Sequence, residues 1–344
     1  MKIFPFVVAV IVVAFVVSTI RAVRTAKYNR VLIAAVESQD AQSAILALNN
    51  GADPNLTYNR ETENQPLWRQ LWSQITGRKP GGSPILISAI QNFNLGNETN
   101  GSVLFAFIRA GVNLNIHGED GDTPLYLGIR SNNEVLVDLC LSHGASAQSG
   151  NPADGTPLTR AIVANQSATP LVLLKYGANP NSRDILNRGD CSSFAGTWKM
   201  SHLTPLMCCM VSHGQTSMTS LADSLINHGA DVNAVDDQGR TALMWEMVTP
   251  LDTTEMVKSL LLAGARVDIR AHNGDSAIDL AKKRCLALNG PEDHEFSTHT
   301  QMDPVSVGGV NRFNSTEDFS QTSINSPNML RLLQYALVKQ TGHN

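Results

Sequence analysis

A chain of 344 residues with 42% apolar residues can bury a substantial core, which excludes a wholly disordered protein. The net charge is −4 with only 16% charged residues, so there is no basic excess to hold nucleic acid. The five cysteines are odd in number and scattered, with Cys208 and Cys209 adjacent; they read as buried or free thiols and not as a disulfide framework.

In chain order, the first predicted element is Ile3 to Ile20, which carries no charge and spans about 27 Å as a helix, close to the thickness of a bilayer's hydrocarbon layer. It is followed by Arg21, Arg24, Lys27 and Arg30 and not by a small-residue cleavage site, which predicts an uncleaved single-pass anchor over residues 1–30. The charge rule favours a cytoplasmic body by a narrow margin, and the opposite topology stays open.

Beyond the anchor, two short motifs alternate. The first is a Thr-Pro-Leu type turn: Ser83-Pro84-Ile85-Leu86, Thr123-Pro124-Leu125-Tyr126, Thr156-Pro157-Leu158-Thr159, Thr204-Pro205-Leu206-Met207, Thr241-Ala242-Leu243-Met244 and Ser276-Ala277-Ile278-Asp279. The second comes about twenty residues later, at Gly51, Gly111, Gly144, Gly177, Gly229 and Gly264, each followed by Ala or Val. Thr123 to Thr156 is a step of 33, as is Gly111 to Gly144. Ser or Thr caps a helix that Pro can begin without losing a hydrogen bond, and Gly ends the next helix in a left-handed cap. Asn or Asp after each Gly (Asn55, Asn115, Asn181, Asn233, Asp268) suits the turn into the following unit.

These motifs resemble those of the ankyrin-repeat family over residues 31–284. The resemblance implies an all-α fold: an ankyrin-repeat solenoid of about seven helix-turn-helix repeats with long finger insertions, here preceded by the predicted transmembrane helix. One departure is steady. The family's His, fourth in its Thr-Pro-Leu-His turn, is replaced by Leu86, Tyr126, Thr159, Met207, Met244 and Asp279, so the stack should depend more on apolar contacts.

Two insertions, at about 56–82 and 182–203, interrupt the period where the family has its fingers. They hold Trp68, Trp72 and Trp198, which repeat packing does not require, and Trp is enriched at interface hot spots. The other reading is that each insertion folds back on its own scaffold. Trp245, Arg130 and Arg160 fall on inner helices, where each either lines the groove or serves its own helix and surface. Residues 285–327 are polar and read as a flexible loop, and the apolar face at 328–340 reads as a C-terminal capping helix.

Phosphate-loop, dinucleotide and metal-ligand motifs are missing from the sequence, and Cys208 with His213 lacks a third, orienting group. The expectation is therefore a membrane-tethered module that binds another protein through fingers and concave face and does no chemistry, with no cofactor, nucleic acid or small-molecule substrate. Three rivals are an extracytoplasmic immunity-type protein that neutralises a toxin or enzyme, a hydrolase with its site in the groove, and a stack that only self-associates.

Overall fold

The computed structural model describes residues 3–58, 82–93, 98–152, 154–184, 202–211, 217–248, 254–289 and 326–341. They form two compact units, Met1–Ala178 and Asn179–Asn344. The first unit contains helices α1 (Ile3–Glu37), α2 (Ala41–Asn49), α3 (Ile85–Asn92), α4 (Glu98–Arg109), α5 (Pro124–Arg130), α6 (Glu134–Ser142), α7 (Pro157–Val163) and α8 (Thr169–Lys175). It also holds the short antiparallel strands β1 (Thr57–Tyr58) and β2 (Ser83–Pro84). In the second unit are α9 (Pro205–Val211), α10 (Ser217–Asn227), α11 (Ala242–Val248), α12 (Thr254–Leu262), α13 (Ala277–Asn289) and α14 (Ser326–Thr341).

The start of the chain departs from expectation. Among the described residues no helix is long and apolar enough to cross a membrane, which overturns the single-pass membrane localisation. Helix α1 continues unbroken past Arg21 to Glu37. Its last third is a repeat element, with Leu32, Ala35 and Val36 buried where α1 packs on α2.

Each inner helix begins as its sequence dictates. Thr123 and Thr156 cap α5 and α7, accepting the amides of Tyr126 (3.2 Å) and Thr159 (3.5 Å), with Pro in the first turn. Thr204, Thr241 and Ser276 do the same for α9, α11 and α13. Ser83 departs from the pattern: it lies in β2, so α3 starts at Ile85, whose N–H donates to Leu56 O. The outer helices end at Gly51, Gly111, Gly144, Gly177, Gly229 and Gly264, all with φ between +81° and +97°. At Gly144 the amide donates to Leu141 O and that of Ala145 reaches back to Cys140 O, the two bonds of a Schellman stop.

Successive repeats are joined by side-chain amides. Asn115 donates to Gly144 O and accepts from Ser146 N–H, bracketing the turn of the next repeat. Asn55 brackets Gly111 and Asn113 in the same way, and Gln148 donates to Gly177 O. In the second unit Asn181 brackets Gly229 and Asp231, and Asn233 brackets Gly264 and Arg266. Helix α14 packs on α13 and α12, burying Met329, Leu330 and Leu333, and its Gln340 brackets Ala265 and Val267.

Leu86, Tyr126, Thr159, Met207 and Met244 are all buried, so four of the His substitutions add apolar or aliphatic bulk to the stack and Thr159 adds a hydroxyl that accepts from Thr156 Oγ1. Asp279 differs, forming a reciprocal capping box with Ser276.

Candidate functional site

Between the end of each outer helix and the next inner helix, the chain turns through a finger closed by one recurring backbone bond. It runs from Gly118 N to Asp122 O, Asn151 N to Gly155 O, Asp236 N to Arg240 O and Ala271 N to Asp275 O, at 2.8 to 3.1 Å. The second long insertion opens at this same place: Asp184 N donates to Leu203 O (3.0 Å) and Leu203 N to Asp184 O (2.9 Å). The first is closed by the pairing of β1 with β2. Trp68, Trp72 and Trp198 lie outside the described residues.

In the first unit, the fingers and inner helices α5 and α7 bring several charged groups together. Asp122 is buried just before the α5 cap; its Oδ2 accepts from Arg130 and its Oδ1 from Asn151 Nδ2 (2.6 Å). Asn151 Nδ2 also donates to Asp120 O (2.9 Å), tying one finger to the next. Arg130 lies one helical turn beyond Tyr126 on the same face of α5, and its side chain is 47% exposed. The hydrogen bond it donates to Asp122, then the charge of that carboxylate, hold the guanidinium more firmly protonated than usual. Arg160 on α7 is half-buried.

Tyr126 is fully buried, and its hydroxyl has no hydrogen-bond partner. Burial first, then the charge of Asp154, push its pKa up, with Arg160 pulling the other way. The hydroxyl therefore stays protonated. Sequence reasoning noted Tyr126 only as a replacement for His and passed over Asp122; the one signal available was a Tyr followed four residues later by Arg.

The equivalent finger of the second unit is organised differently. Asp236 Oδ1 accepts the amides of Gln238 and Arg240, both at 2.8 Å. Its Oδ2 accepts from Arg240 Nε (2.8 Å) and from Trp245 Nε1 (3.1 Å). The Arg240 guanidinium lies 3.9 Å from the centre of the Trp245 ring. Trp245 is fully buried, so it fastens this finger to α11 and offers no surface to a groove.

Among the described residues there is no cluster of three His, Cys, Asp or Glu side chains able to hold a metal ion. Cys208 and Cys209 are buried, and burial pushes the Cys209 thiol far above its ordinary pKa, away from nucleophilic use. His213 lies outside the described residues.

The family described as Ankyrin repeats (3 copies) matches residues 79–184, and that described as Ankyrin repeat matches residues 201–237. Among curated proteins, the neurogenic locus notch homolog protein 1 of Homo sapiens is 28% identical over 215 residues, covering 60% of this chain and 8% of that protein. The protein of the same name from Danio rerio is 27% identical with the same coverage. An ankyrin repeat protein of Fowlpox virus (strain NVSL) is 38% identical over 65 residues, 19% of either chain. The chain thus spans about a twelfth of the length of the notch relatives. These matches show ankyrin repeats, and ankyrin repeats indicate a protein–protein interaction module.

Proposed function

We propose, on the premise that this is a chain of ankyrin repeats, that it works as a non-enzymatic module that binds a partner protein, with its long fingers and the inner-helix face of the first unit, which carries Arg130 and Arg160, as the contacting surfaces. The finger at Asp184 and Leu203 carries this reading. It closes with the same backbone bond as the short fingers, which supports reading the residues between as an addition to the repeat. Chain length added at a finger, and carrying Trp, is the composition expected of a contact surface; Trp68, Trp72 and Trp198 are the proposed anchors.

The test replaces residues 186–201 by a four-residue Gly-Ser turn and places a photo-crosslinking amino acid either at Arg130 or, as a control, at the outer-helix residue Asp138. The shortened finger should melt within a few degrees of wild type and lose most of the partner crosslinking seen from Arg130. Crosslinking that survives the deletion, or is as strong from Asp138, overturns the reading.

A further inference from the structure

Within that reading, on which this inference rests, the end of α1 stands in register with the inner helices of the first unit. Gln39 holds φ +58° where Asn132 holds +52°, two residues past the helix in each case, which aligns residues 31–37 with residues 124–130. Burial follows the alignment: Leu32, Ala35 and Val36 are buried, as are Leu125, Gly128 and Ile129. Asn92 Nδ2 donates to Val36 O (3.1 Å) as Gln166 Nε2 does to Ile129 O (2.6 Å). The exposed Ala34 and Glu37 thus take the places of Leu127 and Arg130 on the inner face. Helix α5 begins at its Thr123 cap, whereas α1 continues beyond that level toward the N-terminus and carries the open stripe with it. Steps of three and four residues from Ala34 pass through Val31, Arg30, Lys27, Arg24, Val23 and Ile20, all exposed. Arg21, Arg24, Lys27 and Arg30 enter no ion pair among the described residues, and α1 has no acid before Glu37. Arg24 and Lys27 lie 5.9 and 5.7 Å from the centre of the Tyr28 ring, which holds them at the stripe. The whole chain carries −4, so this positive excess is local.

We infer that the exposed face of α1 from Ile20 to Val31 is a docking site for an acidic amphipathic helix of the partner protein. The stripe is straight and about 18 Å long, the reach of a short helix. Its cations recur about once per turn, so carboxylates one turn apart on the guest meet them in series. Ile20 and Val23, 63% and 56% exposed, lie between the charges and take the guest's apolar side chains. Because the stripe continues the inner face of the first unit, a partner seated on that face has this one within reach. The positive charge also selects against basic and neutral helices.

In the experiment the full chain is titrated into a fluorescein-labelled helical peptide of about five turns with Glu and Leu on one face, and binding is read by anisotropy. The same peptide with Gln for Glu, and vesicles of phosphatidylserine and phosphatidylcholine, are the comparison probes. The Glu peptide should bind at least tenfold more tightly than the Gln peptide and weaken as salt rises. Arg24→Gln with Lys27→Gln should weaken it at least tenfold, whereas Arg109→Gln with Lys175→Gln, which removes the same charge from exposed sites elsewhere in the first unit, should leave it unchanged. Val23→Ser should weaken it several-fold. Equal binding of the two peptides, no binding of either, or an equal loss in the two double variants overturns the inference. So do vesicles that bind the chain and displace the peptide, since the face then belongs to a lipid surface. The probes bear on α1 alone, so a failure here with finger-dependent crosslinking from Arg130 intact overturns this site and leaves the parent reading standing.

Discussion

Two aromatic side chains on inner helices are buried with opposite hydrogen-bond fates. Tyr126 has a hydroxyl without a partner, so Tyr126→Phe removes a desolvation penalty and should raise stability by about 1 kcal/mol, read as a higher urea midpoint at unchanged slope. A loss of similar size would mean the hydroxyl is paired. Trp245 is satisfied through Asp236 and stacked under Arg240, so Trp245→Ala creates a cavity and removes one of the hydrogen bonds to Asp236; a loss of about 3–5 kcal/mol is expected from the same melts. A loss under about 1 kcal/mol would return Trp245 to the groove-facing role the sequence allowed. That role was legible because Trp245 follows the Thr-Ala-Leu-Met turn. Its partner was not, because Asp236 lies nine residues earlier and is brought back only by the finger's own geometry.

At the level of elements, one substitution should act with opposite signs at two places. Gly144 holds φ +92° at the stop of α6, and Gly144→Ala should cost about 1–2 kcal/mol. Gly101 lies within α4 with open space where a Cβ would be, and Gly101→Ala should gain about 0.5–1 kcal/mol. Equal effects on thermal midpoint would overturn the distinction. At the start of α13, hydrogen bonds from Ser276 hold the Asp279 carboxyl below its ordinary pKa of 3.8. A depressed acid stabilises the fold above its unfolded pKa and loses that contribution as pH falls through the folded one. Wild type and Asp279→Asn should therefore differ at pH 6, by a small amount that salt reduces, and the difference should shrink as the pH falls below 3.8. These starts and stops were legible because a cap or a stop is a local event within four or five residues. The connections between paired helices were not: Gln39, Asn132 and Asn165 adopt φ of 52–58° there, and nothing but the tolerance of Asn for that region marked them. Ser83 was misread because pairing with β1, set by residues across an insertion, overrode its capping role.

For the whole molecule, the period of 33 and its two interruptions were visible in the sequence, and the described helices follow it. The N-terminal apolar run was misread, because hydropathy alone does not register that the same helix goes on to bury Leu32, Ala35 and Val36 against α2. A chain ending before Ser326 should lose thermal stability and bind more of a hydrophobic dye, since Leu333 and its neighbours no longer cover α12 and α13. An unchanged melt would mean that α14 is dispensable. The amide brackets have a consequence for descent. Asn55, Asn115, Asn181 and Asn233 each grip the same two backbone atoms, a Gly carbonyl and the amide two residues on. Backbone atoms are present whatever the side chain, so the couplings are interchangeable. A tandem duplication or loss of one unit would rejoin at a matching seam, and such a lineage can lengthen or shorten its stack by recombination without inventing a new joint.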